Sequence, residues 1–478
     1  MKVSDKFLQK VGFPYILEHL PVQSPMGEIC KRNLKPYAPA EKERLLEELA
    51  LVTWALERLD TPAWNKLLQE LMLLKDVSGS LKRLESGELT LPELFELKGF
   101  ALRLRGTALA LEILAPVPEA LCIDACPEVL DILDPEHTLT PAFALREGWS
   151  EELSQIRSEK RSLEKQIAVA HGEQREKLLV ARTAVCAREE AEEQRMRRAI
   201  TAELAPFRTR LEEQVGRLGH LDLVGGKAAL ARELGGVCPR FTEEGIGFTA
   251  MRIPQLEARL KESGRSFTPL TIELPKGICA LTGANMGGKS VALCALGLNV
   301  YLAHCGCYVF AEEGHMPLLD GLCLVDGEME DAQRGLSSFG GELMAAEEAA
   351  LEAEKGLCLC LFDEFARGTN PFEGARIQKG TARYFRSLGA YSVFVTHYDG
   401  VSALADVCYC TRGLKNMPDR AMPEAHKDRL ALLKRYMDYG LREPVPKNAP
   451  VPREALRVAE LMGLEPTLLQ EIRQAYEE

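Results

Sequence analysis

Eight residues, Gly283-Ala284-Asn285-Met286-Gly287-Gly288-Lys289-Ser290, follow a short apolar run, ICALT, and open a helical pattern. Glycines let the backbone curl so that successive amide N–H groups point at phosphate oxygens, and the N-terminus of the following helix adds partial positive charge. In such a loop Lys289 would span the β- and γ-phosphates and Ser290 would place a hydroxyl on Mg²⁺. A glycine-rich strand–helix turn without a ligand is the plain alternative, and the full motif with both flanks in place speaks against it. Downstream, GLCLCLFDEFARGTN reads as a buried strand ending in adjacent carboxylates. Asp363 would hold the magnesium through water, and Glu364 would polarise the attacking water. A further apolar strand, YSVFVTH, ends at His397. A lone histidine there would be an ordinary surface residue, but the order P-loop, strand–DE, strand–His suits a γ-phosphate sensor. Between these, Ser337 and Ser338 precede the long helical pattern of SSFGGELMAAEEAALEAEKG. A hydroxyl and a helix N-terminus could face an anion there, or simply cap the helix; a cap in one protomer can also meet phosphate held by another.

Positioning these residues takes a large scaffold. The chain has 478 residues, enough for about two to four domains. Its formal net charge of −12 gives no general attraction to polyanions, so nucleic-acid binding would need a local basic patch. The start, MKVSDKFLQKVG, has no apolar core of signal-peptide length, and no run approaches membrane-spanning length. The expectation is a cytoplasmic protein with no membrane partner. Among fourteen cysteines are three Cys-x-Cys pairs, Cys305/Cys307, Cys358/Cys360 and Cys408/Cys410. Alternate spacing would put both thiols of a pair on one strand face, and the apolar surroundings suit buried free thiols better than structural zinc.

Residues 1–150 read as helices with short breaks: EKERLLEELALVTWALERL and TLPELFELKGFALRLRGTALALEIL carry apolar residues at helical spacing. Residues 151–238 change character. Two charged helical stretches separated by HGEQ predict an antiparallel hairpin with its tip near His171-Gly172, followed by a helical return. From Pro239 short apolar strands alternate with helices, the α/β signature, and residues 239–440 form one α/β unit. Beyond it, residues 441–478 hold a proline-rich connector and two short helices. The fold class expected is therefore α + α/β.

In their order and spacing TGANMGGKS, LSSFGGEL, DEFARGTNPFEGA and THY resemble the ATPase of the MutS family. Upstream, LPVQSPMGEICKRNLKPY and LKRLESGELTLPELFELKGF are similar to the family's helical core. The lever entry LTPAFALREGWSEELSQIRSEKRSLEKQI resembles the shorter bacterial branch that carries an Smr nuclease, as does GTNPFEGA, although Arg367 is more typical of the mismatch-repair branch. The resemblance implies an all-helical core, a long helical lever, an ABC-class P-loop ATPase domain and a C-terminal helix-turn-helix for dimerisation. It implies ATP and Mg²⁺ as cofactors. It also implies a homodimer, or a heterodimer with a related MutS-like chain. Carried over by residue, Phe267 matches the aromatic that stacks on adenine, with ordinary strand packing as its alternative. Asn285 matches the γ-phosphate contact, within a nucleotide-binding set of Gly283, Asn285, Met286, Gly287, Gly288, Lys289 and Ser290. Ser290 and Asp363 match the metal ligands, Glu364 the general base and His397 the sensor. Ser337 or Ser338 matches the serine supplied in trans, with Ser337 favoured on register. Ala284 stands where the family usually has proline.

The core pattern starts within about the first twenty residues, the hairpin turns over in a few, and nothing follows Glu478. The expectation is therefore a motor, lever and dimer contact without mismatch-reading, clamp or Smr domains. Three readings compete. The resemblance supports an ATPase of DNA mismatch-repair or recombination-repair type, helped by Arg175, Lys177, Arg182, Arg195, Arg197 and Arg198 along the hairpin; interleaved acids make a solvated coiled coil the plainer view of that run. Alternatively the ATPase remodels a partner enzyme without DNA, since MutS-like proteins of reduced plan resemble components that reactivate cobalamin-dependent amino-acid aminomutases. A dimer that binds ATP without turnover is the third, and Glu364 and His397 argue against it.

Overall fold

The computed structural model describes residues 1, 3–283, 287–326, 338–414, 437–442, 455–461 and 464–477. Its class is α + α/β. The chain divides into two compact units, one of residues 1–21, 34–56 and 227–478, the other of residues 22–33 and 57–226. Among the described residues no helix is long and apolar enough to cross a membrane.

The second unit is helical. Its helix Leu91–Ile113 begins at Thr90, whose hydroxyl accepts from the Glu93 N–H while Glu93 accepts from the Thr90 N–H at 2.8 Å. That reciprocal cap ends the loop where the Thr-Leu-Pro-Glu sequence predicts it. Within this helix Lys98 is buried and donates to Asp134 at 3.0 Å. The helices Glu151–Val169 and Gly172–Leu204 are joined by Ala170 and His171 alone. Arg157 pairs with Glu189 at 3.0 Å, Arg188 with Glu159 at 2.9 Å and Arg182 with Glu164 at 2.9 Å, so the two helices run antiparallel. The latter two pairs are exposed, and pairs of that kind stabilise little. A small apolar cluster of Leu145, Leu153 and Met196 closes the base of the hairpin.

The first unit contains both sheets. Strands β1 (Arg240–Phe241), β2 (Ile246–Met251), β3 (Leu270–Leu274), β4 (Gly277–Thr282) and β5 (Glu313–Met316) are followed by β6 (Gly321–Asp326), β7 (Cys358–Asp363), β8 (Tyr391–Val395), β9 (Val407–Leu414) and β10 (Met437–Leu441). A four-stranded sheet has the order β1-β5-β2-β3, and a six-stranded sheet the order β10-β9-β4-β8-β7-β6. In the larger sheet β9, β4, β8, β7 and β6 are parallel, and β10 is antiparallel to β9. Every residue of β4, β7 and β8 is buried, as their unbroken apolar runs require of parallel strands covered on both faces. Phe362 of β7 stacks on its register partner Phe394 of β8 at 4.2 Å between centroids, and Phe385 of the helix Pro371–Ser387 meets Phe362 edge-on at 5.1 Å. This aromatic core fixes the C-terminal ends of β7 and β8 relative to each other.

Distant segments complete this unit. Buried Lys227 donates to Glu48 at 2.6 Å and to the Cys305 carbonyl at 2.9 Å. The N-terminal helix Asp5–Lys10 buries Phe7, worth about 1.5–3 kcal/mol by transfer. The six thiols of the Cys-x-Cys pairs are all buried. Cys358/Cys360 and Cys408/Cys410 lie on β7 and β9, but Cys305/Cys307 lies on no strand. That pair follows the end of the helix Lys289–His304, where Gly306 turns the chain with φ +64°.

Candidate active site

The P-loop lies between β4 and the helix Lys289–His304, whose N-cap Gly288 has φ +88°, a left-handed conformation that glycine adopts without strain. Lys289 opens the helix and is buried; its Nζ donates to the Gly283 carbonyl at 3.0 Å. Burial lowers the Lys289 ammonium's pKa, and the charges of Glu364 and Asp363 oppose that effect. Ser290 donates to Oδ1 of Asp363 at 2.9 Å. Asn285, Met286 and Ser337, and the side chain of Ser338, lie outside the described residues.

Register brings the neighbouring strands to the same edge. Asp363 ends β7 opposite Val395 of β8, and Glu364 and His397 follow these strands. The Nε2 of His397 lies 3.2 Å from Oε1 of Glu364, and Arg367 donates to the other carboxylate oxygen at 2.5 Å. The His397 hydrogen bond holds the Glu364 carboxyl down to about 2; burial opposes it, and Arg367 and Lys289 add to it. Glu364 is therefore an ionised acceptor at neutral pH. Its φ is +51° and that of Ala366 is +61°, left-handed conformations that non-glycine residues hold only under constraint. Beside them Glu364, Arg367, Gln378, Thr396, His397 and Tyr398 line a cleft of about 150 Å³.

This geometry carries a P-loop signature, paired strand-end carboxylates and a histidine in contact with the second carboxylate. Residues 279–462 match the family model of MutS domain V. Over these residues the chain is similar to the MutS family. It is similar to the DNA mismatch repair protein MutS of Thermus aquaticus, 35% identical over 217 residues, which cover 45% of this chain and 25% of that protein. The DNA mismatch repair protein MutS of Shouchella clausii (strain KSM-K16) is 29% identical over 206 residues, 43% of this chain and 24% of that protein. The Endonuclease MutS2 of Leuconostoc mesenteroides is 30% identical over 218 residues, 44% of this chain and 26% of that protein. The chain thus spans about a quarter of the length of these curated relatives.

Within the stretch that matches MutS domain V, the hydroxyl of Ser290 and the carboxylate of Asp363 are hard oxygen donors 2.9 Å from each other, a set that would fit magnesium. A bound magnesium ion would neutralise phosphate charge there. Of the chain's own groups, Lys289 would offer a cation, Glu364 a proton acceptor and His397 a ring nitrogen 3.2 Å from that carboxylate. Phe267 stands half-buried in the segment before β3, in the smaller sheet.

Three contributors are missing from the sequence reading. Buried Glu342, on the helix Ser338–Ala353, accepts from the Ala366 N–H at 2.5 Å, two residues past Glu364. Burial raises its carboxyl pKa, against the Ala366 and Gly368 N–H groups. Gln378 donates to the Phe365 carbonyl and accepts from the Thr396 hydroxyl at 2.7 Å, so it ties the loop after β7 to the chain after β8. A polar residue on the buried face of the amphipathic helix Pro371–Ser387 was the available signal for Gln378. Lys10 reaches Asp363 from 353 residues away, and no local pattern marks it.

Proposed function

We propose that this chain is a Mg²⁺-dependent ATP hydrolase working as a dimeric conformational switch. The observation that carries the reading is the ionised Glu364 paired with His397 at 3.2 Å, on strand ends beside Lys289 and the Ser290–Asp363 pair. ATP would be sandwiched between the P-loop of one protomer and Ser337 or Ser338 of another. Asn285 would meet the γ-phosphate and Phe267 the adenine. The domain plan is a core of residues 1–150, a lever of 151–238, an ATPase of 239–440 and a dimerisation element of 441–478. Closing on ATP would move the hairpin Glu151–Leu204, and hydrolysis would reset it. By similarity to proteins named for DNA mismatch repair, the nominal target is DNA in mismatch-repair or recombination-repair transactions.

One observation favours a second reading, remodelling of a partner enzyme such as a cobalamin-dependent amino-acid aminomutase. Lys177, Arg182, Arg195, Arg197 and Arg198 each pair with a carboxylate of the chain itself, at 2.8, 2.9, 2.6, 3.4 and 2.9 Å. Cations already neutralised gain less from phosphate. Binding and ATPase rate with duplex, mismatched and branched DNA, measured across a salt series, separate the two readings. The DNA reading expects affinity that falls steeply with salt. Absence of binding at low salt contradicts it and leaves the partner-enzyme reading.

A further inference from the structure

Asp326 at the end of β6 is the register partner of Asp363 at the end of β7, so parallel pairing sets two carboxylates side by side. Their side chains are only 8% and 7% exposed. Like charges that close and that buried disfavour ionisation of both unless a cation joins them. Lys10 is that cation. Its Nζ lies 2.7 Å from Oδ2 of Asp326 and 2.9 Å from Oδ2 of Asp363. Asp363 therefore gives one oxygen to Lys10 and the other, Oδ1, to the Ser290 hydroxyl at 2.9 Å.

The segment that brings Lys10 there is fitted to the helix Lys289–His304. Phe7 is buried against Gly297, where an added Cβ would lie 3.0 Å from the Phe7 ring. Phe13 meets Tyr301 edge-on at 4.9 Å, about one helical turn further along. Two anchors thus flank Lys10 in sequence and hold it against the phosphate-side ends of β6 and β7. An isolated exposed Lys–Asp pair would contribute little. Here one ammonium serves two nearly buried carboxylates, and the cost of removing their shared cation is what counts.

We propose that Lys10 is a positioning residue of the site, a protein-borne cation that holds the Asp326–Asp363 pair and keeps Oδ1 of Asp363 turned to Ser290. The proposal rests on the reading of Asp363 as a magnesium ligand. Without the ammonium, two adjacent carboxylates form a cluster of hard oxygen donors suited to a divalent ion. Lys10 therefore keeps a second divalent ion out of the site while leaving Asp363 oriented for the first.

The test compares wild type, Lys10→Met, Lys10→Arg and the double variant Lys10→Met/Asp326→Asn. Unfolding midpoints are taken in EDTA and across a manganese series without nucleotide, and Mn²⁺ binding is followed by electron paramagnetic resonance. Lys10→Met should be destabilised in EDTA, recover with Mn²⁺, and bind Mn²⁺ about tenfold or more tighter than wild type. Lys10→Arg and the double variant, which restore a cation or remove the surplus charge, should behave as wild type. Equal Mn²⁺ responses in wild type and Lys10→Met would overturn the proposal. So would a double variant no more stable than Lys10→Met, including the case in which neither folds. A second arm measures the Mg²⁺ dependence of binding to a fluorescent ATP analogue, which should shift in Lys10→Met and not in Lys10→Arg. Failure of wild type to bind that analogue counts against the nucleotide reading alone, because the first arm uses no nucleotide.

Discussion

Glu364 owes its place to a short loop that would not hold its shape alone. The left-handed residues Glu364 and Ala366 need outside partners, and the buried Glu342 carboxylate supplies one to the Ala366 N–H at 2.5 Å. Glu342→Ala should leave that N–H buried without its acceptor and lower stability by about 1–3 kcal/mol. Because the loop carries the proposed proton acceptor and not the phosphate cradle, kcat for ATP hydrolysis should fall while nucleotide affinity stays near wild type. Urea unfolding, steady-state rates and a nucleotide titration check this together; an unchanged kcat would remove Glu342 from the positioning of Glu364. At this scale the grouping was legible in advance: the P-loop, the Asp363-Glu364 pair and His397 are local strings, and the strand ends bring Ser290 to Asp363 and His397 to Glu364. Glu342, Gln378 and Lys10 were not, because their partners lie 24, 13 and 353 residues away and depend on how helices pack on the sheet.

Among the elements, the helix Lys289–His304 shows how burial sets a pH dependence. His304 at its C-terminal end is fully buried; its Nε2 accepts from the Leu319 N–H at 2.9 Å, which leaves Nδ1 to donate to the Val300 carbonyl at 2.8 Å. Burial lowers its pKa from 6.5 to about 4, against the hydrogen bond to Val300. The unfolded chain takes up the proton first as pH falls, so this contribution is intact above about pH 6.5 and is lost progressively down to about pH 4. The loss should approach about 1.4 kcal/mol per pH unit within that window. Urea unfolding between pH 7.5 and 5 should show a fall in stability that is smaller in His304→Gln; identical pH dependence in both would contradict it. Strands β4, β7 and β8 were foreseen from their apolar runs, and the helix after the P-loop from its helical spacing. The Cys305/Cys307 pair was misassigned to a strand because alternate apolar spacing also occurs where a helix ends in a tight turn.

For the whole molecule, the organisation into two units depends on contacts that sequence does not display. Residues 34–56 join residues 227–478 in one unit. The Lys227–Glu48 pair, 179 residues apart, and the Tyr37 N–H donating to the His304 carbonyl at 2.7 Å show the kind of link involved. The hairpin was foreseen because charged helices without aromatics have a distinct composition, and its turn falls at Ala170–His171. Whether such a chain works as a switch depends on ATP binding and hydrolysis being separable events. Single-turnover hydrolysis by purified wild type and Glu364→Gln, with nucleotide binding and light scattering recorded on the same samples, tests this most directly. Glu364→Gln should bind ATP as tightly as wild type, accumulate as an ATP-bound dimer, and hydrolyse about 10²–10⁴-fold more slowly. Hydrolysis by Glu364→Gln at the wild-type rate would contradict this.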